Sequence, residues 1–150
     1  MSTITEESVN LSLSRTFPAT RERVFAAWTD PEQVVKWFGP ETCRVRDAEI
    51  DLRDGGTYRF QVSSPQCGET AVYGQYREVK PPGRLVYTWK WESDPDYADR
   101  ETLVTVEFID RGGSTELRLT HENLPNTESG RNHEHGWNGC FDKLANLLAS

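Results

Sequence analysis

The sequence predicts an α+β fold in which a curved antiparallel sheet of about seven strands wraps around a long C-terminal helix, with two short helices after the first strand. Three observations carry this. The stretch from Cys43 to Asn123 alternates apolar and polar residues with a period of two, broken by glycine- and proline-rich turns. The stretch from Gly136 to Leu148 has a period of 3.6, with Trp137, Cys140, Phe141, Leu144 and Leu148 on one face. Between the first strand and the alternating region lie two short helical patterns with clear start signals.

The first strand begins after a leader of about eight residues, where Val9, Leu11 and Leu13 alternate with Asn10, Ser12 and Ser14. It runs to Phe17, and Pro18 ends it. Thr20 is a suitable N-cap for a helix over Arg21 to Thr29, whose Val24, Phe25 and Trp28 share a side. Asp30 caps a second helix that carries Pro31 at its first position, where a missing N–H costs nothing. Val34, Val35, Trp37 and Phe38 give it an apolar side, and Gly39-Pro40 stops it.

Six strands are then predicted, near Cys43–Asp51, Thr57–Ser63, Thr70–Val79, Leu85–Glu92, Thr102–Ile109 and Thr115–Glu122. In the first of these the parity of Cys43 and Val45 disagrees with that of Ala48, Ile50 and Leu52. A bulge near Arg46-Asp47 reconciles them. The turns Asp54-Gly55-Gly56, Ser64-Pro65-Gln66-Cys67-Gly68, Pro81-Pro82-Gly83 and Asp110-Arg111-Gly112-Gly113 separate the strands. Ser93 to Arg100 is acidic and reads as a longer, solvated, mobile loop, and Leu124 to Arg131 as a linker into the last helix. Short turns between consecutive strands imply a meander. Its apolar face needs the C-terminal helix as a cover.

Composition narrows the function. With 150 residues the chain is expected to form one domain over residues 9–150. Its net charge of −7 argues against nucleic acid, which selects basic faces. Neither a secretory leader nor an apolar run of membrane-spanning length is present, so no membrane insertion and a cytoplasmic location are expected. Cys43, Cys67 and Cys140 are widely spaced, form no C-x-x-C pair, and read as reduced thiols.

Strand parity names the inward side chains. Tyr58 and Phe60 share a face with Val62. Tyr87, Trp89 and Trp91 alternate with Val86, Thr88 and Lys90. Phe108 aligns with Val104 and Val106, and Leu119 and His121 with Leu117. One helix seldom fills a concave sheet of this length, so a cavity between sheet and C-terminal helix is expected, as well as ordinary core. Its candidate lining is Tyr58, Phe60, Tyr87, Trp89, Phe108, Leu119, His121, His133, Trp137, Cys140 and Phe141. Gly136 and Gly139 each cost the helix about 1 kcal/mol relative to alanine and are read as making room.

His121 is expected to be satisfied at the edge of the core, with a polar anchor or general base as the alternative. His133 projects beside Trp137, whereas His135 points outward. Histidines two apart on a helix diverge, so no metal site is expected. No cofactor motif or catalytic triad is recognisable, and Cys140 reads as a small hydrophobe.

The order of elements resembles that of the START-like (SRPBCC) helix-grip superfamily. Its branch of homologues of the activator of the 90-kDa heat-shock chaperone's ATPase is matched by several motifs. These are Val24-Phe25-Ala26-Ala27-Trp28-Thr29-Asp30-Pro31-Glu32, Trp37-Phe38-Gly39-Pro40, Asp51 to Phe60, Pro82-Gly83-Arg84-Leu85-Val86-Tyr87-Thr88-Trp89, Leu117 to His121, and Gly136 to Leu148. The resemblance implies a cavity for an apolar, aromatic or lipid-like small molecule. It leaves three functions open: a binding or sequestering protein, a small-molecule enzyme such as a cyclase or hydrolase using His121 or His133, and a chaperone-binding module. It also leaves a homodimer open.

Overall fold

A computed structural model describes residues 8–39, 44–64, 68–97 and 100–149. The expectations for the leader through Glu7, for Pro40, Cys43 and Cys67, for the 65–67 turn and for Ala98 and Asp99 lie outside the described residues.

The chain runs β1 (Ser8–Phe17), α1 (Arg21–Thr29), α2 (Pro31–Trp37), β2 (Arg44–Ile50), β3 (Thr57–Ser64), β4 (Gly68–Lys80), β5 (Arg84–Trp91), β6 (Thr102–Asp110), β7 (Thr115–Pro125), α3 (Glu128–Arg131) and α4 (His133–Ala149). The seven strands form one antiparallel sheet in the order β1-β7-β6-β5-β4-β3-β2. β2 to β7 is the expected meander, and β1 closes against β7. The α1–α2 connection therefore carries the chain from one edge of the sheet to the other.

Local chemistry explains the short helices. The Thr20 side chain accepts from the Arg23 N–H, the Asp30 side chain accepts from the Glu32 N–H, and Pro31 stands in the first turn of α2. The bulge in β2 falls between Val45 and Asp47, where the conflict of parity placed it. β4 presses so closely on β5 that a Cβ on Gly74 would sit 2.0 Å from the Thr88 carbonyl oxygen. Only glycine fits there. At the β2–β3 turn Gly55 has a φ of +84°, the left-handed conformation that turn needs.

α4 lays Trp137, Cys140, Phe141, Leu144 and Leu148 into the core, the five residues of the expected face. Phe141 meets Phe17 edge-on at 6.1 Å, and Arg15 of β1 caps that ring while pairing with Asp142 at 2.8 Å. The outer face of the sheet is polar, with cross-strand ion pairs Arg59–Glu92, Arg77–Glu101 and Arg84–Glu107.

Three expectations need correction. The stretch read as a linker continues β7 to Pro125 and then forms α3, whose Thr127 side chain accepts from the Gly130 N–H. α4 starts at His133, three residues before the expected start at Gly136. The acidic stretch read as a mobile loop holds a short 3₁₀ turn, Pro95–Tyr97, and Tyr97 is fully buried. An apolar ring among carboxylates gains more by docking than the loop loses by ordering.

Candidate functional site

Two features lie on the concave side of the sheet: an aromatic pocket, and a network of buried hydrogen bonds beside it.

The pocket lies between α1–α2 and β3–β5. Its walls are Trp28, Val34, Trp37, Phe38, Tyr58, Phe60, Tyr76, Leu85 and Tyr87. Tyr58, Tyr76 and Tyr87 stand ring to ring, with centroids 5.2, 5.6 and 5.8 Å apart. Phe38 closes over Phe60 at 5.0 Å and Trp89 at 5.7 Å. The Tyr58 hydroxyl donates to the Thr88 carbonyl at 2.5 Å. The Trp37 indole donates to the Ala27 carbonyl at 2.8 Å, whereas the sealed Trp28 indole N–H has no partner among the described residues. Burial pushes all three phenols up; next in order, Tyr87 and Tyr76 add to the shift of Tyr58, and Tyr76 and Cys140 to that of Tyr87. All three are neutral at physiological pH.

The void so enclosed is only about 10 Å³, room for one water molecule. It lies against α1 and α2, beside the region between sheet and C-terminal helix where a cavity was expected. Among the described residues the void is lined by α1 and α2 opposite the sheet, and no α4 residue borders it. Under α4, Trp137 stacks on Trp28 at 5.8 Å and leans on Trp89 at 5.1 Å.

The second feature surrounds two histidines. His121, fully buried on β7, receives the Trp137 indole N–H on Nδ1 at 3.1 Å, and its Nε2 lies 3.0 Å from the Thr102 hydroxyl. An indole only donates, so Nδ1 holds the lone pair and the proton sits on Nε2. The Thr102 hydroxyl therefore accepts from His121 and donates onward to the Trp89 carbonyl at 2.6 Å. Burial, and secondarily the nearby His133, hold the His121 pKa well below the usual imidazole value. His133, the first residue of α4, receives the indoles of Trp91 at 2.9 Å and Trp89 at 3.3 Å on Nε2, with the Tyr97 hydroxyl also 3.3 Å away. The network ties the end of β5, the 95–97 turn and the start of α4 together.

The sequence-derived candidates thus divide by location. Tyr58, Phe60 and Tyr87 line the pocket. Trp89, His121, His133 and Trp137 form the network. Phe108, Leu119, Cys140 and Phe141 are buried in the surrounding core, where the Cys140 sulfur accepts from the Gly39 N–H at 3.3 Å. His135 is exposed, on the side away from His133. Tyr87 and Trp89 are buried and Trp91 is half-buried; Val86 and Thr88 on the opposite parity are buried as well.

Trp28, Trp37, Phe38, Tyr76 and Tyr97 are absent from the sequence-derived set. For the first three the signal was present in the aromatic faces of the two short helices. For Tyr76 and Tyr97 it was only a ring in a polar run. Gly136 makes no close contact either: a Cβ there would meet nothing within 4 Å.

Comparison with known proteins gives one consistent answer. A crystal structure of the AHSA1 protein of Silicibacter pomeroyi is 31% identical, with a TM-score of 0.82 over 94% of this chain and 98% of that one. A protein from Chromobacterium violaceum is 26% identical, with a TM-score of 0.81 over 94% of this chain and 97% of its own. Human activator of 90 kDa heat shock protein ATPase homolog 1 is 25% identical over 129 residues, which are 85% of this chain and 33% of that protein. The chain therefore spans about a third of its human relative. No helix among the described residues is long and apolar enough to cross a membrane. The model of the family described as Activator of Hsp90 ATPase homolog 1-like protein matches residues 18–149, and with its helix-grip fold the chain belongs to that family.

Proposed function

We propose that this protein binds a small, apolar, ring-containing molecule in the pocket between α1–α2 and β3–β5. The observation that carries the reading is the pocket's wall, in which seven of nine residues are aromatic and none is charged. Such a surface offers stacking faces and little competing hydration. Since the void holds one water, uptake of anything larger requires Phe38 and the seven-residue α2 to move outward. Part of the binding energy goes into that opening.

The enzyme alternative has less support. The lone pairs of His121 Nδ1 and His133 Nε2 already accept indole N–H groups, so neither is free to take a proton from a substrate. The chaperone-module alternative called for an exposed apolar patch on the outer sheet face. Among the described residues the large exposed apolar side chains, Val35, Leu52 and Tyr73, belong to three separate segments.

Thermal unfolding and tryptophan emission, recorded with a panel of one- to three-ring apolar compounds, test the proposal. Binding should raise the midpoint and quench Trp28 and Trp37, and Tyr87→Ala should weaken both effects. Flat midpoints and unchanged emission across the panel at millimolar concentrations would refute it.

A further inference from the structure

If the pocket takes up a small molecule as proposed above, its unpaired polar atoms restrict what that molecule is. The Tyr58 hydroxyl is committed to the Thr88 carbonyl. Among the described residues none hydrogen-bonds the hydroxyl of Tyr76 or of Tyr87. Neither hydroxyl is among the sealed atoms without a partner, so each keeps some accessible surface. A phenol held neutral by burial both donates and accepts, but delocalisation of its oxygen lone pair into the ring makes it the stronger donor. The pocket wall therefore carries two unpaired phenol hydroxyls, each better suited to donate to a ligand oxygen than to accept. It contains no cation: the remaining wall is Val34, Leu85 and aromatic rings. An anion entering it would shed its hydration without gaining a counter-charge.

We infer that the pocket selects an uncharged, flat molecule bearing a hydrogen-bond acceptor, such as a carbonyl oxygen, received by the hydroxyls of Tyr76 and Tyr87. Pure hydrocarbons fit the wall but leave both hydroxyls unpaired. Aromatic carboxylates carry the acceptor but bring a charge the wall cannot balance.

Three probes of nearly equal shape separate these cases: acetophenone, α-methylstyrene (in which a methylene replaces the carbonyl oxygen) and benzoate. Affinities are measured by calorimetry on the full chain, in the wild type, Tyr76→Phe and Tyr87→Phe, with circular dichroism melts to verify that each variant folds. Acetophenone is expected to bind roughly tenfold more tightly than α-methylstyrene, the advantage of about one well-made hydrogen bond, and benzoate most weakly. The Phe variants should reduce the acetophenone advantage and leave α-methylstyrene unchanged. Equal binding of acetophenone and α-methylstyrene, preference for benzoate, or an equal loss for all probes in the Phe variants would overturn the selectivity while leaving uptake standing. Failure of all three probes to bind the wild type would overturn uptake, and the selectivity with it.

Discussion

Acidification should expose the cost of keeping His121 neutral. In the folded chain its Nδ1 lone pair accepts the Trp137 indole and its Nε2–H faces the Thr102 hydroxyl, and burial holds its pKa well below 6.5. In the unfolded chain the same ring titrates near 6.5. Above that pH both states are neutral and the group adds no pH dependence. Below it the unfolded state binds a proton that the folded state refuses, so stability falls as the pH falls. The slope is about 1.4 kcal/mol per pH unit for one proton, at most about 2 kcal/mol by pH 5, and it ends where the pH passes the folded pKa. Urea unfolding from pH 7.5 to 5 measures this. The loss corresponds to a midpoint shift of about 0.7–2 M. In His121→Gln, which can still accept the indole N–H, that part of the slope should vanish. His133, His135 and the surface carboxylates are shared by both proteins and cancel. Parallel pH profiles for wild type and variant would refute the assignment of a neutral, locked His121.

Three further outcomes follow from the packing. Phe38→Ala empties the lid of the pocket and should cost about 3–5 kcal/mol, lowering the melting temperature by about 6–20 °C; saturating benzene, soaked into the enlarged void, should restore part of it. Trp137→Phe keeps the ring but removes the donor to His121, and should cost about 1–3 kcal/mol while raising the His121 pKa in an NMR titration. The two helical glycines should respond oppositely in thermal melts. Gly136→Ala faces open space and should gain about 1 kcal/mol, whereas Gly130→Ala would place its Cβ 1.8 Å from the Pro125 carbonyl oxygen and should destabilise.

Much of the fold was legible because its signals are local. The caps Thr20 and Asp30, Pro31, the β2 bulge and the face of α4 each depend on a few neighbouring residues, and all took the expected form. Strand parity sorted Tyr58, Phe60, Tyr87 and Trp89 toward the concave side for the same reason. A period of two is imposed by the backbone whatever the strand packs against.

Other features depend on distances between segments that sequence spacing does not encode. Tyr97 belongs to an acidic run, and only the arrival of α4 gives its ring a place beside His133. The pairing of His121 with Trp137 and of His133 with Trp89 and Trp91 brings β7, β5 and α4 together across up to 44 residues of chain. The size of the cavity is the clearest case. Periodicity marked which rings face inward but not how closely they interlock, as Trp28, Trp89 and Trp137 do beneath α4. Inward direction is a property of each strand alone. Volume is a property of every side chain that shares the interior, so only the assembled core decided it.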